Sequence, residues 1–178
     1  MNIFVAGVHG VGKTYLASQL PVTMGLMHTS ASKLIEEERT ILNWGADKRV
    51  SDVDANQIAL AAAVKRHNSV GTRLLLDGHF VLLNDQGEFT RLDTEVFKAL
   101  KLDGVVLLEA APDTISIRIR ERDGGEVNID HMVEFLTMER SQAQMVCHDL
   151  GISLRILHAP NLDIFVEAVK ATASTAGR

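Results

Sequence analysis

The residues best suited to chemistry in this 178-residue chain are 7–14, which read G-x-x-x-x-G-K-T directly after an apolar run. This is the pattern of a phosphate-binding loop, in which a strand leads into a glycine-rich turn and then a helix. Glycines without a Cβ atom let successive backbone N–H groups curl around a phosphate. The following helix adds its unpaired N–H groups and its positive dipole end. We therefore expect a nucleotide to bind here through its phosphates.

Two side chains at the end of the loop have specific expected roles. Lys13 would reach the β- and γ-phosphates of ATP as a compact positive charge, and the Thr14 hydroxyl would ligate Mg²⁺. His9 occupies a variable position of the pattern, and its side chain is expected to point away from the phosphates. The residues expected to form the nucleotide contact are Gly7, His9, Gly10, Val11, Gly12, Lys13, Thr14 and Tyr15.

A second polar group follows the apolar run 74–76, which ends in Asp77. Ligands of an open parallel sheet bind outside the carboxyl ends of its strands, so Asp77 would lie near the loop and hold Mg²⁺ directly or through water. The alternative is an acid that only caps the turn at Gly78. His79 would contact phosphate, position a water or polarise the acceptor, unless it is a packed, hydrogen-bonded histidine.

Arg118, Arg120 and Arg122 form a third group, on and just beyond a helix predicted over 113–121. Arg118 and Arg122 are four residues apart and project from the same face. Such a pair beside a glycine-containing segment is typical of a lid that neutralises a transferring phosphoryl group. We expect this lid over about 118–128; the alternative is a solvated basic helix paired with neighbouring acids.

A scaffold of alternating strands and helices would position these residues. Continuous apolar runs predict strands at 2–6, 26–29, 73–77, 104–109 and 153–157, as in a parallel sheet buried on both faces. Helical spacing predicts helices at 13–19, 31–44, 53–68, 94–100, 113–121, 130–150 and 162–173. A small hairpin is expected over 80–90. The alternation indicates a doubly wound α/β sandwich with right-handed crossovers, built as one domain over residues 1–178.

The composition argues against several other classes of protein. With 46% hydrophobic and 23% charged residues the chain resembles ordinary globular proteins, and its net charge of −5 makes a nucleic-acid partner unexpected. The single cysteine, Cys147, excludes an intrachain disulfide and is expected in a helix core. No apolar stretch approaches the ~20 residues of a membrane span, and no leader precedes the first strand, so we expect a cytoplasmic protein. Nothing indicates a protein partner.

Together these features resemble the small P-loop kinases and, more narrowly, the archaeal-type adenylate kinases. The loop matches without a gap, and Asp77-Gly78-His79 resembles the D-x-H segment of that group. The resemblance implies a three-layer α/β/α sandwich of P-loop type with a five-stranded parallel sheet in the order 2-3-1-4-5. It also implies transfer of the γ-phosphoryl group of ATP to AMP with Mg²⁺.

The same resemblance implies where the two substrates bind. Pro160 falls in a turn that contacts adenine in such folds, mostly through its backbone. A helical segment over about 30–68 corresponds to the acceptor side. The residues matched to acceptor binding are Ser30, Ser32, Arg49 and Gln57.

Three functions remain open. The first is a nucleoside monophosphate kinase of adenylate kinase type, whose anionic acceptor needs no general base. The second is a kinase for a nucleoside or another small hydroxyl compound, in which Asp77 or His79 would take the hydroxyl proton. The third is a switch or assembly factor that hydrolyses ATP while it binds a partner. The residues expected to act on the transferring group are Lys13, Asp77, His79, Arg118 and Arg122.

Overall fold

The computed structural model describes residues 2–41, 52–84, 86–124 and 127–175. The strands are β1 (Asn2–Ala6), β2 (Leu26–Ser30), β3 (Arg73–Gly78), β4 (Val81–Leu83), β5 (Phe89–Arg91), β6 (Leu102–Glu109) and β7 (Ser153–His158). The α-helices are α1 (Lys13–Ser18), α2 (Ala31–Ile41), α3 (Asp52–Ser69), α4 (Thr94–Ala99), α5 (Pro112–Asp123), α6 (Ile129–Leu150) and α7 (Leu162–Thr175). These bounds lie within a few residues of the predicted ones. The predicted continuation of α2 to residue 44 falls outside the described ranges.

Five strands form a parallel sheet in the order β2-β3-β1-β6-β7. Counted among these five strands alone, this is the order 2-3-1-4-5; the labels differ because β4 and β5, the expected hairpin, pair antiparallel in a separate sheet. Asp77 of β3 lies in register beside Val5 of β1 and Ser30 of β2. The carboxyl ends of β1, β2 and β3 therefore meet at one edge of the sheet.

Both faces of the sheet are covered by helices, which explains the continuous apolar strands. Because alternate strand residues point to opposite faces, Ile3 and Val5 join one core, which includes residues of α1, α5 and α7. Phe4 and Ala6 join the other, which includes residues of α2, α3 and α4. Helix α6 contributes to both, and its Cys147 is buried, as expected. The predicted three-layer α/β/α sandwich is confirmed.

Local signals in the sequence delimit several of the helices. Pro112 occupies the first turn of α5, where a missing N–H is tolerated. Asp93 caps α4 by accepting from the Glu95 N–H at 2.9 Å, and Asn128 caps α6 by accepting from the His131 N–H at 3.1 Å. None of the helices in the described ranges is long and apolar enough to cross a membrane.

Candidate active site

The loop at residues 7–14 joins β1 to α1 and is packed closely against the protein behind it. Gly7 and Gly10 have φ angles of +139° and +79°, which side chains rarely adopt. A Cβ atom at Gly7 would collide with the carbonyl oxygen of Leu108, and one at Gly10 would lie 2.9 Å from the side chain of Ile119. Glycine at these two positions therefore lets the loop rest directly on β6 and α5.

Lys13 lies inside the loop. Only 7% of this residue is exposed, and its Nζ donates hydrogen bonds to the carbonyl oxygens of Gly7 at 2.5 Å and Val8 at 3.2 Å. Burial lowers the pKa of Lys13 to about 8, and the negative charges of Glu139 and Asp77 oppose this shift. An anion in the loop would be a stronger partner for the ammonium group than these neutral carbonyl groups.

Asp77 and Thr14, the two residues expected to hold Mg²⁺, lie side by side. The Thr14 Oγ1 donates a hydrogen bond to Asp77 Oδ2 at 3.2 Å. Mg²⁺ prefers oxygen ligands and usually takes one or two protein groups while keeping water and substrate phosphates as its other ligands. This pair therefore fits Mg²⁺. Within the described ranges, no group of three or more His, Cys, Asp or Glu side chains forms a metal site.

His28, which the sequence motifs did not single out, also belongs to this site. Its Nε2 lies 2.8 Å from Oδ2 of Asp77, whose side chain is only 7% exposed. The pairing of β2 with β3 explains the contact, because Ser30 lies beside Asp77 and His28 is two residues earlier on the same face. Strand alternation would have indicated His28 once β2 and β3 were known to be neighbours.

Glu139 of α6 is a second residue that the sequence analysis missed. It is 1% exposed, and its carboxylate accepts hydrogen bonds from the backbone N–H groups of Gly7 at 3.2 Å, Phe80 at 3.0 Å and Val81 at 2.8 Å. Burial raises the pKa of Glu139 to about 7, and the backbone donors and the charge of Lys13 oppose this shift. One carboxylate thus joins the start of the phosphate loop to the turn after β3.

His79 lies in that turn, and its ring contacts the ring of His9. Their centroids are 4.2 Å apart, and Phe135 packs near both rings. His9 therefore lines the space over the loop and does not turn away from it as expected. The pKa of both histidines is lowered, chiefly by burial and also by the charge of Lys13. The pKa of His79 lies well below its usual range. The Nδ1 of His79 is buried without a hydrogen-bond partner.

Arg118 and Arg122 of α5 both line the space over the loop. Nη1 of Arg118 donates to the carbonyl oxygen of Val11 at 2.9 Å. The guanidinium of Arg122 donates to the carboxylate of Asp123 at 2.7 and 2.6 Å, which raises the pKa of Arg122. Arg120 is exposed and does not line this space. Two arginine side chains thus face the loop, while residues 125 and 126 of the expected lid fall outside the described ranges.

Two cavities meet where β2 and β3 end. The loop cavity, of about 480 Å³, lies over residues 9–15 of the phosphate loop and the start of α1. The inner cavity, of about 290 Å³, is lined by residues of α2, α3, α4 and β4. Gln57 lines the inner cavity, and Arg49 lies outside the described residues. The residues that line both cavities are His9, Ser30, Ser32, Asp77 and His79.

A further cavity, of about 500 Å³, lies between α1 and the turn after β7. Pro160 lines it, as do Gly12, Tyr15 and Arg118, which also line the loop cavity. Tyr15 is 71% exposed. This space therefore adjoins the loop cavity.

Comparison with known proteins agrees with this architecture. Residues 6–134 match the family described as AAA domain. No curated protein matches the sequence. A gluconokinase from Sinorhizobium meliloti is similar in structure with a TM-score of 0.56 and 16% identity, over 98% of this chain and 93% of that one. A sugar kinase from a Janibacter species has a TM-score of 0.62 and 16% identity, over 98% and 95%. An uncharacterized protein from Eubacterium ventriosum has a TM-score of 0.56 and 14% identity, over 100% and 99%. At identities as low as these, the structural similarities establish a shared fold alone.

The raised pKa of Glu139 predicts a pH-dependent contribution to stability. Since this carboxyl group binds its proton more tightly in the folded protein, its contribution to the free energy of unfolding falls as pH rises from about 4.5 to about 7. Glu139→Gln stays uncharged and lacks this dependence. The difference in unfolding free energy, wild type minus variant, should therefore decrease across that interval in denaturant titrations. Glu134→Gln, exposed on the same helix, is the control. If the difference for Glu139→Gln stays constant or increases with pH, the raised pKa of Glu139 is contradicted.

Proposed function

Because the chain belongs to the AAA domain family, we propose that it is a P-loop kinase, transferring the γ-phosphoryl group of ATP to a small-molecule acceptor. The observation that carries this proposal is the meeting of the loop cavity and the inner cavity at Asp77, His79 and Ser30. A phosphate held by the loop would point toward a second compound held in the inner cavity. The kinase names of two structural relatives support the same reading.

The donor half of the reaction uses the loop and its neighbours. Lys13 exchanges its two carbonyl partners for the β- and γ-phosphates, and the cavity lined by Pro160 takes the base and sugar of ATP. Thr14 and Asp77 hold Mg²⁺, which when bound supplies charge that offsets the phosphate oxygens. Phosphoryl transfer depends chiefly on positioning and on charge neutralisation, which these groups provide.

The arginines of α5 supply the remaining positive charge. Arg118 already bonds to the loop backbone, and Arg122 would leave Asp123 for the transferring group, which is a stronger anion in a more enclosed site. Both groups extend from one helix that packs against the loop at Gly10, so α5 brings two positive charges over the loop. These are the charges that a lid would supply to the transferring group.

The acceptor has two candidate classes. The adenylate kinase resemblance favours a nucleoside monophosphate, whose anionic oxygen attacks without a base; Arg49, the basic residue matched to it, lies outside the described residues. A hydroxyl acceptor is favoured by a specific observation, the carboxylate of Asp77 and the ring of His79 at the junction of the cavities. A hydroxyl must lose a proton as it attacks, and the ring of His79, or the carboxylate of Asp77 where it does not ligate Mg²⁺, is able to accept it.

A coupled assay of ADP release tests the proposal against monophosphates, nucleosides, sugars, sugar acids and small alcohols. At least one acceptor should raise ADP release well above the rate with water alone. Lys13→Ala should lower the stimulated rate at least about a hundredfold with the fold retained, because it removes the positive charge that neutralises the phosphates during transfer. Lys170→Ala, on α7 and half exposed, is the matched control. No stimulation by any acceptor would leave an ATPase switch as the function.

The lid role of α5 makes a separate prediction. Arg122→Ala should lower kcat about a hundredfold or more while ATP affinity changes little, because the charge acts mainly on the transition state. Arg120→Ala is the control, since Arg120 is exposed on the same helix and does not line the loop cavity. Initial rates and equilibrium titration with ATP separate the two effects. A loss confined to ATP affinity would assign Arg122 to ground-state binding.

A further inference from the structure

The inner cavity has walls unlike those of the loop cavity. Most of its lining is apolar and comes from the sheet and from the core on one of its faces, including Phe4, Leu60, Leu82, Val96, Phe97 and Leu100. Several of these side chains are themselves fully buried in the core, so the walls are held by packing. Its volume of about 290 Å³ is close to the lower limit for ligand pockets, which is ~300 Å³. Such a space suits a ring with apolar faces.

Two polar atoms of the lining residues have no partner in the protein. The Oε1 of Gln57 and the Nδ1 of His79 are both buried and make no hydrogen bond. A buried polar atom without a partner is costly, and since both residues line the inner cavity, a ligand held there could supply the missing hydrogen bonds. An occupant therefore needs hydrogen-bonding groups along an edge as well as apolar faces.

The one charged side chain among the described residues that line the inner cavity, apart from histidines, is negative. Among the described residues that line it, none is lysine or arginine, and Asp77 places a carboxylate at the end that opens to the loop cavity. Burying an anion needs a positive partner, or the cost of removing its water is not recovered. The hydroxyl groups of Ser30 and Ser32 at the same end bind neutral hydroxyls well.

We propose that the acceptor is a neutral alcohol carried on a ring that has apolar faces and a polar edge, the chemistry of a nucleoside; this rests on the kinase function proposed above. The ring fills the inner cavity, with its edge on Gln57 and His79, and the hydroxyl lies at the junction. The hydroxyl oxygen forms a bond to the γ-phosphorus as the bond from that phosphorus to the β–γ bridging oxygen breaks. The hydroxyl proton passes to an oxygen of the transferred phosphoryl group, and ADP leaves.

Three matched acceptors test this directly: ribose, a nucleoside, and the 5′-monophosphate of that nucleoside. Ribose keeps the hydroxyls without the nucleobase, and the monophosphate keeps the nucleobase but carries an anionic phosphate in place of the 5′-hydroxyl. For at least one nucleobase the nucleoside should have a kcat/KM at least about tenfold above both relatives. Preference for the monophosphate, or equal use of ribose, overturns the acceptor class while the kinase function stands. No transfer to any compound overturns both.

A variant adds a readout independent of turnover. Gln57→Leu keeps the size of the side chain and removes its amide, so the Kd of the nucleoside, measured by calorimetry with a non-hydrolysable ATP analogue present, should rise about tenfold. The Kd of the analogue itself should not change. Ile58→Ala is the matched control, because Ile58 is the next residue on α3, is 55% exposed and does not line the cavity. An unchanged Kd for the nucleoside in Gln57→Leu would contradict the assigned ring position.

Discussion

The carboxylate of Glu139 holds together two loops that must keep a fixed distance for the site to exist. It accepts hydrogen bonds from Gly7, where the phosphate loop begins, and from Phe80 and Val81, just after the turn that carries His79. Backbone N–H groups buried at these points need partners, and one side chain supplies them all. The phosphate loop and the segment that follows His79 are thus attached to the same residue of α6.

This attachment also bears on the electrostatics of the loop. Lys13 lies near Glu139 and Asp77, and their negative charges oppose the lowering of its pKa by burial. A buried ammonium group with opposite charges nearby, held only by neutral carbonyl oxygens, is prepared to receive an anion. The resting loop therefore holds its charged group before the nucleotide arrives, and Lys13 has only neutral partners to exchange for the phosphates.

Much of the fold and of the donor site followed from local patterns. Buried strands on both faces require continuous apolar runs, and residues 7–14 carry the glycine spacing that a phosphate loop requires, so both features are visible in short windows. Asp77 was predicted because parallel strands share one ligand-binding edge. Glu139 was missed although it interrupts the apolar stripe that includes Met132, Phe135 and Val146, which was the available signal.

The sequence by itself determined the phosphate loop, the alternation of strands and helices, and the arginine pair of α5, because each depends on residues close together in the chain. Only the tertiary structure decided that Glu139 bonds to Gly7, which lies 132 residues away, and that His28 lies against Asp77, 49 residues away. Only the fold could also show that a mostly apolar cavity opens onto the loop, since its walls come from three helices and four strands. Contacts between distant segments depend on strand order and helix packing, which local patterns do not encode.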